Sequence, residues 1–379
     1  MFCRRAVAAI ALDDGLEAPM RALASIALTI SLCVPLAAYA DSHKGGTPSC
    51  APHCVFVKPD KSGPLTAPEN WPEFIDRAPE DRAPKGAKAK VVVIGSGDPT
   101  ANPNRIGPSF AVIVNDYPYF VDAGEGIWRG MAHAALSNGD WLTTAFDIQK
   151  MKYLFLTHLH EDHTIGIPSW ILNPYKFGSR ANKEVYGPKG TAAMLSHIRD
   201  AWTIDLHEMW EGSLKASVDG SKLNGHDLTK DGPIFQDENV KVSAFRTKHG
   251  ALEYTFGYRF EAGGRIFAFG GDGHYSEGLV KAAKNADILF IESCTLENLK
   301  YATWGGETVE EKKKAIGAYH MFPPDLVRVK KESGVKMIVL VHEQNYLPAE
   351  KFTRRGLLEE IKRAGLEGPI HSSIDADVY

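Results

Sequence analysis

The run FLTHLHEDHTIG, Phe155 to Gly166, sets His158, His160 and His163 beside Glu161 and Asp162. Imidazole and carboxylate are the donors that zinc and similar ions take, and no thiol lies in the run. Histidines two positions apart, followed by an acid and a third histidine, point to both sides of an extended loop and can serve two metal ions at once. The preceding KYLFLTH is an apolar stretch of strand length, and TIGIPSWIL reads as a helix entry. The donors are therefore expected on a loop at the carboxyl end of a strand, the edge where sheet enzymes gather their ligands.

A complete two-metal site needs further donors, and three stand at the polar ends of later apolar runs. VKVSAFRTKHG closes with His249, RIFAFGGDGH carries Asp272, and VKMIVLVHEQNY carries His342. Taken singly, a His or Asp after a strand is an ordinary turn or hydrogen-bonding residue. Together they repeat the geometry of the first cluster.

With GSGDPTANPNRIGPSFAVIV, FVDAGEG, THLHEDH, TKHGALEYTFGYRF, GGDG, YHMFPPD and LVHEQNY in this order, the stretch from Val91 to His342 resembles the metallo-β-lactamase superfamily. Within it, the chain resembles the branch holding ribonuclease Z and exported arylsulfatase-like hydrolases. The resemblance implies a four-layer αββα fold in a single domain. It implies two zinc ions, one on His158, His160 and His249, the other on Asp162, His163 and His342, with Asp272 bridging them. It further implies hydrolysis by hydroxide generated between the ions and oriented by Asp162, with His320 of AYHMFPPD protonating the leaving group or contacting the oxyanion. Glu292 takes a supporting role. The chain departs from the family pattern in reading GDG for GDT, and in FIES, where relatives often carry His before Glu292.

True β-lactamases of the superfamily lack the bridging aspartate, so Asp272 favours phosphoesters, sulfate esters, lactones or thioesters. The first expectation is a small ester, a phosphodiester or an aryl sulfate. β-Lactam or lactone opening and a ribonuclease Z-like activity are the alternatives on the same site. A di-iron oxidoreductase would place Glu where His160 stands and would need an added flavin domain. A non-catalytic metal-binding protein would be expected to have lost ligands, and all seven positions are filled.

The chain has 379 residues, of which 44% are hydrophobic and 24% charged, an ordinary globular composition, with a formal charge of −4. Nucleic-acid binding draws on clustered Lys and Arg, and the nearest cluster, KFTRRGLLEEIKRAG, reads as an amphipathic helix with a solvated charged face. Only residues 250–271 separate His249 from Asp272 and read as a tight hairpin through Gly263 and Gly264, leaving no room there for an RNA-gripping arm. These features set the expectation of a small-molecule partner and no specific nucleic acid.

Residues 1–40 contain Arg21, an uncharged segment from Ala22 to Ala40 and a small-residue cleavage pattern, as in a secretory signal. Asp13, Asp14 and Glu17 suit no such signal, so translation is better placed at Met20. Cleavage after Ala40 would release a periplasmic or secreted protein with no membrane anchor, in which Cys50 and Cys54 could form a local disulfide. Residues 41–89 read as an extended lead-in and 90–379 as the hydrolase domain, with strands expected at Lys90–Gly95, Phe110–Val114 and Tyr119–Asp122 and helices near Trp128–Ala135 and Thr191–Met209. Gly95-Ser96-Gly97 resembles a dinucleotide loop, but Thr100 stands where its third glycine belongs, leaving a structural turn at the rim of the site. Trp170, Trp202 and Trp210 have the spacing of core aromatics, and lying between two ligand positions they carry a substrate wall as the alternative.

Overall fold

The structure is a computed structural model that describes residues 78–100, 102, 104–346 and 354–379. The signal segment, the start at Met20, and Cys50 with Cys54 lie outside the described residues.

Two sheets carry the donors. The first has six strands in sequential order, β1 (Ala89–Gly95), β2 (Ser109–Val114), β3 (Tyr117–Ala123), β4 (Tyr153–Phe155), β5 (Lys183–Pro188) and β6 (Leu223–Leu228). The second has seven, β7 (Gly232–Gln236), β8 (Val240–Arg246), β9 (Phe256–Ala262), β10 (Arg265–Phe269), β11 (Ile288–Cys294), β12 (Met337–Gln344) and β13 (Ile370–Ser372), again in sequential order. The helices are α1 (Ile127–Asn138), α2 (Asp140–Ala145), α3 (Glu161–Thr164), α4 (Ile167–Lys176), α5 (Thr191–Ala201), α6 (Thr203–Glu211), α7 (Glu277–Ala282), α8 (Val309–Ile316), α9 (Pro323–Ser333) and α10 (Arg354–Arg363).

Alternation along the strands separates three apolar layers. Val91, Val93, Phe110, Val121 and Phe155 of the first sheet meet Val242, Tyr258, Phe260, Phe269 and Phe290 of the second. Val92, Ile94, Ala111, Phe120 and Leu154 point the other way, against Ile127 and Met131 of α1 and Trp170 of α4. Ala268, Leu289, Ile338 and Leu340 cover the far face of the second sheet beneath Leu279, Leu326 and Ile361. Helix, sheet, sheet, helix is the expected αββα layering. Strands β3 to β6 run parallel, as do β10 to β13, so their carboxyl ends collect at common edges. Gly263 (φ 56°) and Gly264 (φ 80°) turn β9 into β10 as the tight hairpin read from the sequence, in the left-handed region a two-residue turn requires.

Several expectations change. Asp162 and His163 sit in the one-turn helix α3 rather than an extended loop, because Thr164 Oγ1 donates to His160 O (2.8 Å) and Ile165 N to Glu161 O (2.7 Å), winding the chain at once. The helix near Thr191–Met209 breaks at Trp202, where Thr203 Oγ1 donates to Asp200 O (2.8 Å) in competition with the backbone ladder. In α10 the charged face is not wholly solvated. Glu360 is buried and accepts from Thr295 Oγ1 (2.6 Å), Leu296 N (2.8 Å) and Glu297 N (3.2 Å), closing the turn that follows β11.

The carboxyl-terminal residues stitch the two sheets together. After β13 on the edge of the second sheet, the chain crosses to the exposed side of β1, where Val91 and Tyr379 exchange backbone hydrogen bonds and Val93 N donates to Asp377 O. Asp375 is buried there and accepts from Ser96 N (2.9 Å), Ser96 Oγ (2.6 Å) and Ile106 N (2.7 Å), holding the glycine-rich loop at the site's rim. Asp375→Ala leaves the buried Ser96 amide and the part-buried Ile106 amide without their acceptor, and we expect a loss of about 1–3 kcal/mol in unfolding free energy, read by denaturant titration.

Candidate metal centre

The carboxyl ends of β3, β4, β8, β10, β11 and β12 deliver every predicted donor to one place. His158 and His160 follow β4, His249 follows β8, Asp272 follows β10, and His342 stands within β12. His158, His160 and His249 form one group, Asp162, His163, Asp272 and His342 a second, and Asp272, Glu292 and His320 a third, with the donor atoms of each group within 4.8 Å of one another. Asp272 belongs to two of the three groups.

The first group is all imidazole. His158 Nε2 is buried with no hydrogen-bond partner among the described residues, and His249 Nε2 lies 3.0 Å from His160 Nδ1. Burial drives the His158 pKa well below its ordinary value and pulls His249 down to about 4. Neutral rings with converging lone pairs are what a cation requires, and without one they leave polar atoms stranded in the interior. In the second group His163 Nε2 makes no proper hydrogen bond, lying 3.3 Å from Asp272 Oδ1 and 3.5 Å from Asp162 Oδ2. His342 Nε2 lies 3.0 Å from Asp162 Oδ2 and 3.3 Å from Asp272 Oδ2. Burial pulls the His342 imidazolium down, but Asp272 and the hydrogen bond to Asp162 outweigh it and lift the pKa to about 9. His342 Nε2 thus faces both carboxylates of the group, as a ligand nitrogen beside a shared cation would. Imidazole nitrogens alone in one set, and imidazoles with two carboxylates in the next, fit borderline ions of the zinc kind.

Three of the rings, those of His158, His163 and His249, have a partner behind them, Thr157 Oγ1 lying 3.1 Å from His158 Nδ1. Asp122 is buried in a left-handed conformation (φ 54°), with Oδ2 2.9 Å from His163 Nδ1 and 2.8 Å from Thr157 Oγ1, and with Oδ1 accepting Thr157 N (2.8 Å). It therefore directs His163 Nε2 at the cluster. His249 Nδ1 donates to Tyr319 O (2.6 Å), which turns its Nε2 the same way. His342 also has a left-handed backbone (φ 49°), and its amide donates to Ser96 O (2.9 Å), so the glycine turn supports the site rather than a nucleotide.

His320 and Glu292 form a buried pair at 2.9 Å, and Gly273 N donates to Glu292 (2.9 Å) beside Asp272. Burial lowers the His320 pKa, but the Glu292 carboxylate outweighs it and holds the ring above its ordinary value. Sequence reasoning missed three contributors. Asp122 was visible only as a letter within FVDAGEG, Tyr319 acts through a backbone oxygen that no side chain signals, and Gln344 Nε2 reaches His320 Nε2 at 3.2 Å. Two of the three tryptophans take the core reading and not that of a substrate wall. Trp170 is fully buried against Phe120, and Trp210 packs beside Tyr175, Leu206 and Met209, because α4 and α6 turn their apolar faces inward.

Residues 119–342 match the model described as the beta-lactamase superfamily domain. The ribonuclease Z of Mycobacterium bovis (strain BCG / Pasteur 1173P2) is 24% identical over 265 residues, covering 69% of this chain and 86% of that protein. Among solved structures, the metallo-beta-lactamase fold protein YhfI from Bacillus subtilis aligns with a TM-score of 0.56 at 18% identity, covering 77% of this chain and 98% of that one. The short form of human tRNase Z aligns with a TM-score of 0.53 at 21% identity, covering 76% of this chain and 98% of that one. These relatives overturn the expectation that no nucleic acid is a partner. A charge summed over the chain says nothing of the field at one mouth, and a short hairpin between His249 and Asp272 excludes an RNA-gripping arm in that one place only. Because the matched span exceeds half the chain and runs from β3 to His342, enclosing every donor described above, the chain belongs to the metallo-β-lactamase superfamily of metal-dependent hydrolases.

Proposed function

We propose that this protein is a dinuclear zinc phosphodiesterase, with RNA among its substrates. The observation that carries the reading is the sharing of Asp272 between a buried ligand group and the His320–Glu292 pair, alongside a group of three histidines. His158, His160 and His249 would hold one ion, Asp162, His163 and His342 the other, and Asp272 would join them. When bound, such ions supply Lewis-acid activation of water and of the ester under attack. The residues of the chain do the rest. Asp122 and the Tyr319 carbonyl fix the imidazole faces, and Asp162, the more exposed of the two clustered carboxylates, orients the attacking water. Glu292 accepts from His320 Nδ1 and raises the ring's pKa, so that in its charged form Nε2 can give a proton to the departing oxygen. The shared carboxylate favours a phosphodiester over a β-lactam, and the ribonuclease Z relatives favour RNA over an aryl sulfate.

The test is a panel of bis(p-nitrophenyl) phosphate, p-nitrophenyl sulfate, a lactone, a cephalosporin and precursor transfer RNA, offered to zinc-loaded protein. We expect turnover of the phosphodiester and of the RNA. Sulfate or cephalosporin cleavage without either would sink the reading. In the same panel His320→Ala is expected to lower kcat by about 10²–10⁴-fold on RNA, whose leaving alkoxide needs a proton, and much less on the nitrophenyl ester.

Asp122→Asn removes the acceptor that orients His163, and chelator competition is expected to show metal affinity weakened by about 10–100-fold. Unchanged affinity would remove Asp122 from the site. The amino-terminal pattern supports export, and the mature chain should begin at Asp41 on amino-terminal sequencing. A mature protein retaining Met20 to Ala40 would show that the segment is kept.

A further inference from the structure

Beside His320 stands an indole that the metal chemistry does not use. Trp304 is 39% exposed, with its ring centroid 6.1 Å from that of His320 and 6.1 Å from that of Tyr319. Tyr319 in turn sits edge-on to His249, at 5.3 Å and 89°. The two aromatic rings thus continue from the three-histidine group past His320 toward solvent.

The loop that carries Trp304 is held firmly on both sides. Before it, Leu299 and Ala302 are buried with Cys294, Ile316 and Phe322. The buried Lys312 Nζ donates to Ala302 O (2.6 Å) and Lys300 O (3.3 Å). After it, Gly306 takes φ 125° against Glu311, where a Cβ would come within 2.5 Å of Glu311 Cβ. Thr308 and Glu311 then form a capping box that starts α8. A large apolar ring fixed half in water, on a braced loop, is poised to take a flat partner.

Taking the phosphodiesterase reading as its basis, we infer that Trp304 and Tyr319 form a stacking subsite for a planar ring, a nucleobase in the first instance, on the leaving-group side of the scissile bond. Adjacency to His320 sets the side, since the ring must travel with the oxygen that His320 protonates. Every base has a π face, so the subsite favours nucleotides over alkyl phosphates without reading their sequence.

Calorimetric titration of the zinc-loaded full chain compares adenosine 5′-monophosphate with ribose 5-phosphate, which differ only in the base. The wild type is expected to bind the nucleotide about tenfold more tightly or better. Trp304→Ala is expected to erase that advantage while leaving ribose 5-phosphate binding unchanged, and Trp304→Phe to keep most of it. No binding of either compound to the wild type, equal binding of the two, or an advantage that survives Trp304→Ala each overturns the inference. A base advantage in a protein that cleaves no phosphodiester would keep the subsite and remove the phosphodiesterase reading.

Discussion

Burial of unsatisfied nitrogen and charge at one edge of two sheets is the constraint on which the rest of the structure depends. His158, His163, His249, His342 and Asp272 are all nearly inaccessible, yet His158 and His163 keep ring nitrogens with no partner. An interior polar atom without a hydrogen bond costs a few kcal/mol, and an uncompensated charge costs more. Such an arrangement persists only if a cation satisfies the cluster and the surrounding fold over-determines each side chain. The donors converge as a cation would require, and the rear nitrogens of His158, His163 and His249 are tied to Thr157, Asp122 and the Tyr319 carbonyl.

The backbone meets this constraint with strain in some places and braces in others. Asp122 and His342 are non-glycine residues in the left-handed region, a conformation that costs energy and is kept where geometry matters more than local preference. His342 is steadied through Ser96, Ser96 through Asp375, and Asp375 belongs to the tail that closes the edge of β1. The last residues of the chain therefore act on the site from a distance. Their contribution is support of a loop, not chemistry.

A net charge of −4 argues against a nucleic-acid surface only if charge is spread evenly. Two ions held at this cluster would make the floor of the cleft locally positive, whatever the rest of the surface carries. Affinity for a phosphodiester then needs no basic patch. On the proposed function, a braced aromatic rim such as Trp304 beside His320 would select among phosphodiesters by shape.

The ligand letters were legible because metal donors are few in kind and their order along the chain is characteristic. His158, His160, Asp162, His163, His249, Asp272 and His342 could be read as one set before any coordinates, as could layered α/β strands near β1, β2 and β3. The Gly263-Gly264 pair between two apolar runs also placed the β9–β10 hairpin. What the sequence could not carry was anything acting through backbone atoms or through the meeting of distant segments. The Tyr319 carbonyl behind His249, the Asp375 tail behind Ser96 and the burial of Glu360 within a seemingly solvated face have no local pattern, because their partners lie far along the chain. Donor identity is a property of side-chain chemistry and belongs to the sequence. Which tryptophan lines a cleft and which fills a core depends on the direction each helix and loop faces once the layers pack, and only the tertiary structure decides that.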